Sequence, residues 1–366
     1  MINQFNRKFL SCLTVLSTIA CFAFAQSAKP FKKDNLIIYR VGDMHSGSDI
    51  NTYNACPIYL DEYNIAGEKP VLVQSIGLPA KTIGENRRIV ALGKDVWSGW
   101  ISLSNDGQFI TVPGYDASLG TEIANKPAES VNRVVALVAA DGSINSSFVF
   151  DNAFNGNAFR SATSFDGAEV WAAGGGGANN GGIFYLKKGD KQSINIGGIS
   201  FRQIKYIDGE LYACENTRVY RLGTGKITEA PKKFTNITGD AVFTDATSFT
   251  IVNLDKTGAG AQKILYLLSY NNGIAKYSLV KNKWEINGVY KNDTIIKGNA
   301  VEAKVVDGKV KLYVISTGNE RGGDGKLIEV LDNAGYNESI NASAKFLLKS
   351  AENQNFRSLS WAPVKK

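Results

Sequence analysis

Arg160-Ser161-Ala162-Thr163-Ser164-Phe165-Asp166-Gly167 is the stretch on which the fold turns, because its layout recurs along the chain. Trp100–Gly107, Arg202–Gly209 and Val301–Gly308 repeat it, each a short run ending in Asp-Gly. A second run follows each turn: Phe109–Val112, Glu169–Ala172, Glu210–Ala213 and Lys311–Val314. These runs are rich in β-branched and aromatic residues, the types that suit a pleated, half-buried surface. Asp-Gly tolerates the positive φ of a tight hairpin. A loop, often rich in glycine, then leads to a third run such as Gly182–Tyr185 or Arg218–Arg221. A degenerate copy without Asp-Gly occupies Ala241–Val252.

The unit is about four strands in roughly 40–60 residues, the period of a propeller blade. Five full units read as 99–150, 160–197, 201–237, 241–290 and 299–345. Phe356–Trp361 resembles a first strand with nothing after it, while Leu36–Val41, Pro57–Tyr63 and Val71–Ile76 lack a first strand. Joined, the two chain ends complete a sixth blade and leave no long sheet edge exposed. The expectation is an all-β, single six-bladed β-propeller whose terminal strands share a blade. A seventh blade fits if residues 77–98 or 241–298 hold a further sheet. A two-sheet sandwich would account for the strands, but not for the repeat or the matching ends.

The first residues have the layout of an export signal. Arg7 and Lys8 precede the uncharged apolar run Phe9–Phe22, and Ala23-Phe24-Ala25 matches the small-x-small cleavage pattern. The expected division is a signal peptide at 1–25 and a propeller domain at 26–366, with the mature protein secreted or periplasmic. The apolar run is short for a membrane span, and no later stretch is long enough for one. Acylation at Cys21 is an alternative, although Ser17-Thr18-Ile19-Ala20 is a poor match to a lipoprotein box. Losing Arg7 and Lys8 lowers the net charge from +7 to +5, since residues 1–25 contain no acid. Basic residues are spread in pairs such as Lys32-Lys33 and Arg87-Arg88, whereas nucleic-acid binders concentrate them in a stripe.

Cys56 and Cys214 are the cysteines of the mature chain. They can pair in an oxidising compartment or pack as small apolar groups. His45 is the sole histidine, so sites needing two are excluded and one candidate triad base remains, in a polar loop. Gly174–Gly182 lacks the Gly-Lys-Ser/Thr ending of a phosphate loop and opens a strand, so it reads as an inter-strand loop. Thr317–Gly325 stands in the equivalent place of a later unit. Asp43, Ser46, Ser48, Asp49 and Asn51 make an oxygen-rich loop without calcium-loop spacing. Asp61, Glu62, Asp116 and Glu122 are available as paired carboxylates for sugar cleavage, but also as ordinary surface charge and turn caps.

Several of these segments together resemble a group of uncharacterised exported bacterial β-propeller-like proteins. They are Pro57–Tyr63, Leu103–Gly107 with Gly114–Ala117, Asn132–Val135, and Arg160–Gly167 with Trp171. The resemblance spans about the first two-thirds of the mature chain. It implies the propeller and export, and it brings no activity or active-site residue.

One constellation follows from the repeat itself. Six residues before each Asp-Gly turn stand Trp100, Arg160, Arg202 and Val301; the degenerate copy supplies Gly239 and the closing strand Arg357. Each of the three arginines follows a phenylalanine: Phe159, Phe201 and Phe356. Equivalent places in a propeller gather at one channel mouth, so Arg160, Arg202, Arg357 and Trp100 are the candidate ligand-binding residues. Guanidinium groups suit carboxylate and phosphate, which points to an anionic ligand such as an acidic sugar. The competing reading has each arginine paired with a carboxylate and each phenylalanine packed between blades. No cofactor or metal set is indicated. The function expected is a binding or scaffold propeller for a carbohydrate or anion, the alternative being an extracellular carbohydrate-active hydrolase or lyase.

Overall fold

The structure, a computed structural model, describes residues 28–44, 47–177, 180–255, 262–318 and 324–366. Its strands form six four-stranded antiparallel sheets arranged as the blades of a propeller. The innermost strands of blades 1 to 6 are Ser102–Leu103, Phe159–Thr163, Gln203–Ile207, Ala246–Asn253, Gly298–Val306 and Asn355–Trp361. Blade 6 has the expected shared construction: Asn355–Trp361 pairs with Leu36–Val41, which pairs with Ile58–Asn64 and then Val71–Gly77. No seventh blade forms among the described residues. Residues 78–101 make a long crossing instead, touching sheet structure through Ala91–Leu92, which pairs with Ala55–Cys56. The degenerate copy is a single blade, from Ala246–Asn253 to Lys283–Tyr290.

Six apolar clusters fill the gaps between blades, because a propeller sheet is apolar on both faces and each face must be covered by its neighbour. Phe159 stacks on Phe154, Phe201 packs edge-on to Tyr220, and Phe356 lies with Leu36, Ile38 and Trp100. All three phenylalanines that precede the arginines are thus buried between blades.

The inner strands share one irregularity. The registers of blades 2, 4, 5 and 6 skip Arg160, Thr247, Asn299 and Arg357, each a bulged residue opposed by no partner of its own. In blade 3 the amides of Arg202 and Gln203 both face Cys214. Trp100 precedes the first inner strand and donates its amide to Arg160 O. The equivalent positions are therefore Trp100, Arg160, Arg202, Thr247, Asn299 and Arg357. Gly239 and Val301 do not belong to this set. Val301 lies two residues beyond the bulge, since the Gly298–Val306 strand is longer and the count back from Asp307 overshoots.

The bulges open backbone groups that join the blades into a ring. Ile101 N donates to Ser358 Oγ at 2.9 Å, Ile204 N to Ser161 Oγ at 3.1 Å, and Phe249 N to Gln203 Oε1 at 3.1 Å. Val301 N donates to Ser248 Oγ at 3.1 Å and Asn299 Nδ2 to Arg357 O at 2.7 Å. With Trp100 N on Arg160 O, every neighbouring pair of blades is linked.

Candidate functional site

Each inner strand begins at the same end of the channel, so the bulged residues gather at one mouth. The crossing chain of residues 92–100 lies over this mouth as a strap. Gly93 N donates to Asn54 O and Lys94 N to Thr52 O. Arg357, wholly buried, holds the strap from below: Nη1 donates to Leu92 O at 2.8 Å and Nη2 to Gly93 O. Further along the strap Trp97 reaches across the ring, its ring centroid 4.6 Å from that of Tyr270 in blade 4. Trp100 is fully buried, and its indole N–H donates to Asn299 O of blade 5 at 2.6 Å. It forms the floor of the mouth.

The three arginines differ in their contacts. Arg357 is engaged with strap carbonyls. Arg160 donates through Nη1 to Ser200 Oγ at 2.7 Å and Phe201 O at 3.2 Å. The guanidinium carbon of Arg202 lies 4.3 Å from the Trp97 ring centroid, a cation–π contact. Among the described residues none of the three forms an ion pair with a carboxylate. Burial lowers the pKa of all three, and Arg202 falls to about 10, first through burial and next through the charge of Arg160. Asp95, on the strap, is near enough to favour the cation of each. It is held as a turn cap, accepting from Trp97 N at 2.8 Å. Among the described residues the buried Nε groups of Arg160 and Arg357 have no acceptor.

Beside the strap is a cavity of about 410 Å³ whose wall includes Tyr53, Leu92, Asp95, Tyr115 and Glu122. Arg133 also borders it, but that guanidinium is spent on the carbonyls of Val131, Lys126 and Phe154.

Other residues singled out in the sequence have local duties. Asp61 pairs with Arg40 at 2.6 Å, Glu62 accepts from Asn35 and Gln74, and Asp116 pairs with Arg88 at 2.6 Å. Those contacts leave Glu122 as the exposed acid of the four. Asp49 accepts from the amide and side chain of Asn51, and Tyr59 donates to Asp43. His45 and Ser46 lie outside the described residues, as do Ala178 and Asn179 of the glycine-rich loop and residues 319–323 of its counterpart. Cys56 and Cys214 are buried free thiols that donate to Asp49 O and Thr247 O.

The opposite end of the channel holds a pair that the repeat count does not reveal. Lys205 and Glu302, from blades 3 and 5, meet at 2.6 Å and are both buried. Each lies three residues after its bulge. The sequence signal is weak: Lys205 stands between Ile204 and Tyr206, and Glu302 between Val301 and Ala303, each a charge flanked by apolar residues in an inner strand.

The chain is a six-bladed β-propeller. No family model matches its sequence, and no curated protein matches it. Among solved structures it is similar to one in a nidogen/laminin complex, at 8% identity over 90% of this chain and 98% of that one, with a TM-score of 0.48. The propeller domain of the Trilobed protease from Pyrococcus furiosus is 12% identical over 88% and 97%, with a TM-score of 0.36. The periplasmic gluconolactonase PpgL of Pseudomonas aeruginosa is 10% identical over 86% and 99%, with a TM-score of 0.37. Among the described residues no helix is long and apolar enough to cross a membrane.

Proposed function

We propose that this is an exported propeller that binds a small anionic ligand, such as an acidic sugar, at the strapped mouth. The reading rests on one observation: the Arg160 guanidinium, held on Ser200 Oγ and Phe201 O, lies beside Arg202 at the mouth, and neither arginine has a carboxylate partner among the described residues. At about 10, Arg202 is still cationic at neutral pH. A carboxylate or phosphate placed between the two would relieve their repulsion through charge-assisted hydrogen bonds. Arg357 would act as a positioning residue that fixes the strap, and Trp100 as the floor. Trp97, already over Arg202, would cover the bound group. Export rests on the charged start, the apolar run and the Ala-x-Ala site of residues 1–25.

Calorimetric titration of the protein beginning at Gln26 with galacturonate and with inorganic phosphate tests this. Binding should weaken as salt rises, because added anions compete for the same guanidinium groups and screen the ligand's approach over distances beyond the Debye length of about 8–10 Å. Arg202→Ala should weaken it about tenfold, the scale of one charge-assisted hydrogen bond, with little change in melting midpoint. Failure of both anions to bind, or binding indifferent to Arg202→Ala, would refute the proposal.

A further inference from the structure

The inner strands carry a second tier, three residues after the bulges: Leu103, Thr163, Lys205, Thr250, Glu302 and Ser360. Five of these six border a pocket of about 170 Å³ opening at the end of the channel away from the strap. The Lys205–Glu302 pair sits in its wall and reaches past blade 4 to join blades 3 and 5. A buried ion pair is not by itself a strong source of stability, since desolvation of both charges offsets their attraction.

Hydrogen-bond accounting shows what the pair has left over. An ammonium has three donors. Lys205 Nζ uses one on Glu302 Oε1 at 2.6 Å and one on Phe249 O at 3.2 Å. Among the described residues Glu302 Oε2 has only a long contact, 3.5 Å, from Thr250 Oγ1. One donor and most of one carboxylate oxygen therefore remain beside the pocket. A group that both accepts and donates satisfies the two together, and a hydroxyl does so. Vicinal hydroxyls fit better still, since adjacent groups can meet the ammonium and the carboxylate together, and Tyr206 and Trp361 supply apolar ring surface on the wall. The wall charges cancel, so a charged ligand would leave one charge unpaired beside a buried ion pair.

We propose that this end of the channel is a second binding site, for a small neutral polyol of monosaccharide size. It is separate from the arginine mouth and takes the opposite kind of ligand. The probes are D-glucose and glycerol within a panel of neutral hexoses and pentitols, with glucuronate and glucosamine as charged comparisons. Binding to the protein beginning at Gln26 is followed by calorimetry. At least one neutral polyol should bind, and glucuronate and glucosamine should bind about tenfold more weakly or not at all, as expected where a charge is stranded. The double variant Lys205→Met/Glu302→Leu removes both charges together and should abolish polyol binding. Thr250→Val, a milder change, should weaken it severalfold through loss of one hydroxyl on the carboxylate, and it decides the matter if the double variant does not fold. Arg202→Ala should leave polyol binding unchanged. No binding across the neutral panel overturns the proposal. So does tighter binding of glucuronate, or binding untouched by the variants at 205, 302 and 250.

Discussion

A cysteine thiol either pairs or stays sealed, and at residue scale burial decides between the two for Cys56 and Cys214. Burial pushes the first thiol up to about 11 and the second to about 12. Since the thiolate is the reactive form, almost none exists at neutral pH, and the fold shields the sulfur as well. With the protein beginning at Gln26, a thiol reagent such as Ellman's should therefore find no reactive cysteine under native conditions and two after denaturation. Recovery of none in denaturant would mean a disulfide and contradict the free, buried state. The sequence leaves pairing and burial open because both need spatial neighbours to resolve. Lys205 and Glu302 were hidden for the same reason, since 97 positions separate them and only closure of the ring brings them together. The arginines were legible because they repeat, although their contacts were not. Arg357 turns to strap carbonyls and Arg202 to an indole ring, and both partners belong to a segment outside the repeat.

At the scale of the element, turn chemistry is local and reads directly. At Asp208-Gly209 and Asp307-Gly308 both residues have positive φ, as a two-residue hairpin of the primed type requires. At Asp106-Gly107 and Asp166-Gly167 only the glycine does, so the same dipeptide closes two turn geometries. The strap is the element with no sequence signature. Its path depends on Gly93, where an added Cβ would lie 2.7 Å from Thr52 O, 3.0 Å from Cys56 Sγ and 3.1 Å from Asp49 O. Two of those atoms are backbone and cannot swing aside. Gly93→Ala should therefore cost about 1–3 kcal/mol, the usual range for overpacking. At about 1.4 °C per kcal/mol for a chain of this length, from an unfolding entropy of about 2.1 cal/mol/K per residue, the melting midpoint should fall by about 1–4 °C. Gly177→Ala, on an exposed loop where a Cβ meets nothing within 4 Å, is the control and should change little. Equal midpoints for the two variants would mean that the strap does not need its close approach at residue 93.

At the scale of the molecule, a ring is only as strong as its closing blade. Asn355–Trp361 joins blade 6 to itself through Leu36–Val41, and also meets both neighbours: Ser358 Oγ accepts from Ile101 N, and Arg357 O accepts from Asn299 Nδ2. The first and last described segments then lie near one another, with Val364 N on Gly107 O and Phe31 N on Ala140 O, both in blade 1. Deleting residues 354–366 would uncover the edge of Leu36–Val41, break the hydrogen-bond ring at two places and free the strap from Arg357. Phe356 and Leu359, both buried, are worth about 1.5–3 kcal/mol each from burial alone. By the same conversion to temperature, the loss of those two side chains amounts to about 4–8 °C, before the broken ring is counted. The deletion should thus lower the melting midpoint by at least ~5 °C and broaden the transition, because the remaining blades lose the neighbour that covers them. If residues 354–366 were instead a tail laid on a finished fold, the truncated protein would melt as sharply and as high as the intact one, and the shared-blade closure would be wrong.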